Sequence, residues 1–140
     1  MKKTLLASLG GALAVALVAG VADAHHAVNA QFDVTKEVVA TGVLTKVELI
    51  NPHSYMHFNV TEKGKTAEIS METGAPVALQ RAGLSVRDNL KVGTPYKIVY
   101  SPSRNGSKTG LLHAITLSDG RFIGFGGEQN ISRARELSKK

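Results

Sequence analysis

Two imidazoles and a phenol alternate with Ser54, Met56 and Phe58 along Asn51-Pro52-His53-Ser54-Tyr55-Met56-His57-Phe58-Asn59-Val60. Asn-Pro is a turn signal, and the stretch after it has the two-residue period of a strand. Ser54, Met56, Phe58 and Val60 share one face and suit a core. His53, Tyr55, His57 and Asn59 share the other, where such groups can bind a ligand. A second alternating segment, 67–72, turns Glu68, Ser70 and Glu72 outward. Pairing Thr61 with Thr66 across the polar loop between the segments sets Asn59 opposite Glu68, His57 opposite Ser70 and Tyr55 opposite Glu72. Asn51, His53, Tyr55, His57, Glu68 and Glu72 are therefore the expected ligand-binding residues. The carboxylates would repel phosphates, so cationic, sugar-like or peptide ligands match this face better. The plainer alternative is a solvated strand face held by its own cross-strand hydrogen bonds.

The five histidines, in a chain without cysteine, also raise a metal site of imidazole and carboxylate. Cleavage after Ala24 would leave His25 with an α-amino group and a ring nitrogen, a chelating pair suited to copper. An imidazole from His26 or His57 could complete it, with His53 and His113 as other donors. His53 and His57 lie four residues apart, about 13 Å along a strand at roughly 3.3 Å per residue. They cannot share one ion unless the Asn51-Pro52 bend folds His53 back. Against the metal reading, His25 and His26 are a signal-junction remnant, His57 an ordinary strand residue and His53 a brace for the turn. His113, in phase with Leu111, Ile115 and Leu117, reads as a satisfied, partly buried histidine. Catalysis has little to rest on. Ser70, His57 and Glu72 could be neighbours, but on an open surface without oxyanion donors. Gly124-Phe125-Gly126-Gly127 follows no strand of a βαβ unit and is a hinge rather than a phosphate loop.

The elements that must position these groups are short. Met1-Lys2-Lys3, an apolar run over 5–21 and Ala22-Asp23-Ala24 read as a secretory signal, 1–24, with no stable membrane anchor left after cleavage. The absence of cysteine removes both a lipid-attachment site and a disulfide framework. Residues 25–36 are a lead-in with Phe32 and Val34 as anchors. A long strand is expected over 37–50, with Val43, Thr45, Val47 and Leu49 on one face and Lys46 and Glu48 on the other. Gly42 within it marks a bulge or a sharp coil. Strands at 53–60 and 67–72 follow, then a short helix over 77–82 with Pro76 in its first turn and Gly83 as its stop. Ser85-Val86-Arg87-Asp88 resembles a capping box. Strands at 96–100 and 111–117 complete the set, with Phe122 and Ile123 adding a little extended pairing.

Three strands, a short helix and two strands is the order of an OB-type barrel. The expected fold is thus mainly β: a small five-stranded OB-like barrel over 25–123 with one helix between strands three and four. A flexible basic tail, 124–140, is expected to follow. The chain has 17 Lys+Arg against 11 Asp+Glu, but part of the excess lies in the signal and tail. The middle is only mildly basic, which argues against nucleic acid as a partner.

Several stretches carry a family resemblance: Ala24-His25-His26, Thr41-Gly42-Val43-Leu44-Thr45-Lys46-Val47-Glu48, Asn51-Pro52-His53, and Glu72 before Gly74-Ala75-Pro76. Leu79-x-x-Ala82-Gly83 and Leu117-Ser118-Asp119-Gly120-Arg121 extend it. Together these are similar to a family of small exported bacterial proteins known only as a domain of unknown function, over residues 24–123. Asn-Pro-His after a Gly-Val strand is the most specific part. One departure is visible: the family tends to carry a tryptophan in the third strand, and this chain has none. The resemblance implies a small periplasmic β-barrel and supplies no activity.

The reading is a periplasmic or secreted, non-enzymatic binding or accessory protein that takes a small ligand or an envelope protein on strands two and three. Copper binding or delivery through His25, His26 and His57 is the first alternative. A structural module docking to the envelope through its basic tail is the second.

Overall fold

The first strand, β1 (Val38–Glu48), runs between β2 (Tyr55–Glu62) and β4 (Pro95–Pro102) and is antiparallel to both. The computed structural model describes residues 28–140. The chain divides into two units, Met1–Gln31 and Phe32–Lys140. Of the first, residues 28–31 make one helical turn; the expected signal and His25 and His26 lie outside the described residues. The second unit holds β1, β2, β3 (Lys65–Glu72), α1 (Pro76–Arg81), β4, β5 (Thr109–Thr116), β6 (Phe122–Gly124) and α2 (Glu128–Ser138). No helix among the described residues is long and apolar enough to cross a membrane.

The neighbours run β3-β2-β1-β4-β5, and a parallel pairing of β3 with β5 closes the ring. This is the expected five-stranded mixed barrel, with α1 between β3 and β4. Closure leaves an apolar interior filled by side chains such as Leu44, Phe58, Met71, Ile98, Leu112 and Ile115. Leu79 of α1 joins that core, so the helix covers barrel interior rather than an open sheet. Pro76 opens α1, and Gly83, with φ of +92°, ends it.

The β2–β3 register is the expected one: Tyr55 faces Glu72, His57 faces Ser70 and Asn59 faces Glu68. The turn is tighter than a six-residue loop. Pairing continues to Glu62 and Lys65, and Lys63 and Gly64, both left-handed, make a two-residue connection.

In β1 the expected phase fails. Leu44 is buried, while Val43 and Leu49 are exposed. The ladder shifts between Leu44 and Lys46, so Thr45 is an extra residue opposite none on β2. The bulge resets the alternation, bringing Val47 back against the core and leaving Lys46 and Glu48 outside. Gly42 marks close approach instead: a Cβ there would lie 2.9 Å from Phe58 Cβ, inside the barrel.

His113 is also out of its expected phase. Val99 pairs with Ala114 and Tyr100 with Leu112, which makes His113 the extra residue of a second bulge. Leu112, not Leu111, joins Ile115 and Leu117 in the core.

The segment expected as a flexible tail carries α2, packed on β4, β5 and β6. Ala134 is fully buried and packs with Val99 and Ala114. Gly124 permits a close approach, since a Cβ there would meet Ile131 Cγ2 at 2.7 Å. The basic groups of α2 are held within the unit. Arg133 Nε lies 2.7 Å from Glu37 Oε2, and the Arg135 guanidinium sits 4.7 Å over the Phe122 ring.

Candidate functional site

The outer surface of β1, β2 and β3 carries rows set by strand register. Glu48, Tyr55 and Glu72 form one row, and Lys46, His57 and Ser70 the next; Val43, Asn59 and Glu68 form a third. The Thr45 bulge puts Glu48 and Lys46 on this surface, where direct continuation of the phase of Gly42 and Leu44 would have turned both inward.

His57 is the centre of the hydrogen-bonded part. Its Nε2 is 2.6 Å from Glu48 Oε2, and its Nδ1 is 3.8 Å from Glu68 Oε1. Thr45 Oγ1 is within reach of Glu68 Oε2 at 2.8 Å and of the His57 carbonyl at 3.1 Å. Lys46 Nζ donates to Glu48 Oε1 at 2.7 Å. The Lys46 ammonium, then the His57 ring, hold the Glu48 carboxyl below its ordinary value. Glu48 is therefore ionised at neutral pH, and the imidazole sits between two carboxylates.

Of the residues expected here, Tyr55, His57, Glu68 and Glu72 do meet on one face. His53 reaches it from the turn, with Nδ1 2.8 Å from Glu72 Oε1. Asn51 is exposed and joined to Pro52 by a cis peptide bond. His53 and His57 engage different carboxylates, and among the described residues no group of three or more His, Asp or Glu is arranged to hold a metal ion. The imagined Ser70–His57–Glu72 relay is not formed: the ring of His57 faces Glu48 and Glu68, and Glu72 faces His53. Glu48, Lys46 and Thr45 had no assigned part in the expected site. The signal for them lay in the β1–β2 pairing, which carries Glu48 across to Tyr55.

His113 is buried, and its Nε2 is 2.8 Å from Ser101 Oγ. Burial lowers its pKa; the nearby Glu37 carboxylate raises it and Arg133 lowers it. This histidine is structural, as its apolar surroundings in the sequence suggested; it lies two residues along β5 from Leu111, which pairs with Glu72 of β3, and its ring is turned to Ser101 of β4.

A family model for a family of unknown function, DUF6152, matches residues 13–114. The chain belongs to the DUF6152 family. Within this family member the match takes in β1 to β4, α1 and most of β5, so all the candidate residues from Glu48 to Glu72 fall inside it. β6 and α2 lie beyond its end. Among curated proteins and solved structures, none matches the chain.

Proposed function

We propose that this DUF6152 protein is an exported, non-enzymatic binding module whose outer β1–β3 surface takes a cationic ligand, a small amine or a lysine- or arginine-bearing peptide. The supporting observation is the row in which Tyr55 stands directly between Glu48 on β1 and Glu72 on β3. An aromatic ring flanked by two carboxylates offers an ammonium or guanidinium both a π face and counter-charge, and cation–π contacts contribute about 0.5–2 kcal/mol. The basic start, apolar run and Ala22-Asp23-Ala24 support export to the periplasm or beyond. The face is the one on which OB-type barrels usually carry ligands, and its acidity disfavours nucleic acid.

The test is titration of a short lysine-rich peptide and of spermidine into the protein at low and high salt, followed by amide chemical shifts. The reading expects shifts centred on Tyr55 and Glu72, with affinity falling as salt rises. Tyr55→Ala and Glu72→Ala should each weaken binding by about 3- to 10-fold, consistent with a loss of roughly 0.7–1.4 kcal/mol. Asn59→Ala serves as a control on the same face. Shifts that ignore Tyr55, or an affinity unchanged in both variants, would remove the proposal.

A further inference from the structure

A second surface lies at the end of the barrel covered by α1. Leu49, Val77 and Val86 are 54%, 51% and 43% exposed, and all three line one groove of about 650 Å³. The groove lies between the end of β1, the helix α1 and the 85–90 turn, with Leu79, Leu84 and Leu90 among its buried lining. Ile50, next to Leu49, is also exposed. Leaving this many aliphatic side chains together in water is unfavourable unless something covers them.

Three of the polar residues along the groove, Ser85, Asp88 and Asn89, are already engaged. Asn89 Nδ2 donates to the Gly83 carbonyl at 2.8 Å, and Asn89 Oδ1 accepts from the Ser85 amide at 2.9 Å. The Asp88 carboxylate accepts from Ser85 Oγ at 2.7 Å and from Arg87 Nε at 3.0 Å. These bonds hold its pKa below the ordinary value, the Ser85 hydroxyl contributing most. What remains along the groove is apolar surface and the Gln80 amide, and the helix beside it carries one cation outside the lining. Arg81 is in the last turn of α1, one turn beyond Val77 and next to Gln80, both of which line the groove. It is exposed and has no ion-pair partner among the described residues.

We propose that this groove binds a single-chain anionic amphiphile, with the hydrocarbon chain against Leu49, Val77 and Val86 and the acidic head on Arg81. The volume lies within the range of about 300–1,000 Å³ typical of small-ligand sites. The apolar residues line a concavity, which receives one chain; a protruding apolar ridge would be the form that enters a bilayer. The site is separate from the Tyr55 face and has the opposite preference in charge.

The test uses laurate, kept below its micelle-forming concentration, titrated calorimetrically into the full protein as exported, with dodecylamine as the cationic counterpart. Laurate should bind at least tenfold tighter than dodecylamine. Val77→Asp should weaken laurate at least tenfold; Arg81→Glu should reverse the order of the two probes, and Arg81→Gln should bring them level. Circular dichroism checks that each variant is folded, and the exposed positions of Val77 and Arg81 make that the expected result. Tyr55→Ala should leave laurate binding unchanged. Absence of laurate binding to the wild type overturns the proposal. So does equal binding of both probes that Arg81→Glu fails to alter. Binding to phosphatidylglycerol vesicles without binding to monomeric laurate also overturns it, in favour of a membrane-docking surface.

Discussion

At the scale of single residues, His113 couples stability to pH. It is only 6% exposed, bonded to Ser101 of β4, and placed near Glu37 ahead of β1 and Arg133 of α2. Burial is the largest influence and favours the neutral ring, so the folded pKa is below the ordinary 6.5. Between the two values the unfolded chain binds more protons than the folded one. The stability that His113 contributes is therefore full above about pH 6.5 and is lost as pH falls through the folded value. The depressed carboxylates Asp33, Glu48, Asp88, Asp119 and Glu136 act lower, beneath their ordinary values of 3.8 and 4.5. Urea unfolding of wild type and His113→Gln from pH 7.5 to 5 separates the two effects. The wild type should lose stability across this window, and the variant should show a flatter profile while losing about 1 kcal/mol at pH 7.5 if its hydrogen bond to Ser101 is imperfect. Parallel profiles would show that His113 does not carry the dependence. The carboxyl of Glu37 illustrates the same economy of charge: Arg133 Nε approaches its Oε2 to 2.7 Å, yet the contact is not aligned as a hydrogen bond.

At the scale of elements, what could be read from the sequence depended on whether alternation was continuous. The register of the β2–β3 hairpin was legible, because both segments alternate without interruption, although the strands run two residues further into the turn than the expected 53–60 and 67–72. That also made Tyr55, His57, Glu68 and Glu72 legible as one surface. β1 was not, because a two-residue period cannot reveal an inserted residue, and Thr45 reverses the phase midway. The same fault displaced His113 in β5. Glu48 was therefore seen as an outward charge without its partners. In α2 the apolar positions Ile131, Ala134 and Leu137 recur every third residue, a narrow stripe within a polar, basic segment. The packing of Ala134 against Val99 and Ala114, distant in sequence, gives that stripe its purpose. The interior of β1 yields a sharper expectation. Gly42 faces Phe58, Val60 and Ile98 so closely that an added methyl group stands 2.9, 3.2 and 3.3 Å from their atoms. Gly42→Ala should destabilise the protein by about 1–3 kcal/mol, as overpacking does. A denaturation midpoint equal to that of the wild type would mean that the barrel wall yields at this point.

At the scale of the molecule, the barrel has one outer wall exposed as the candidate ligand face and another covered by a helix that lies beyond the family match. Removing residues 128–140 would uncover Val99, Ala114 and Phe122 and deprive Glu37 of its cation. The truncated protein should keep its β-sheet circular dichroism and lose about 2–4 kcal/mol in guanidinium unfolding, a cost in keeping with several partly uncovered apolar side chains. An unchanged midpoint would show that α2 contributes no docking energy. The ring itself closes through a short join. β2 and β3 share pairs from Tyr55–Glu72 to Glu62–Lys65, whereas β3 meets β5 only over Ser70–Glu72 and Thr109–Leu111. Ser70 and Glu72 thus belong to both the candidate face and the join. A ligand held by Glu72 would fasten the ring at its narrowest overlap, as a clasp closes a bracelet. Occupancy and wholeness of the barrel would then be one equilibrium, each measurable through the other.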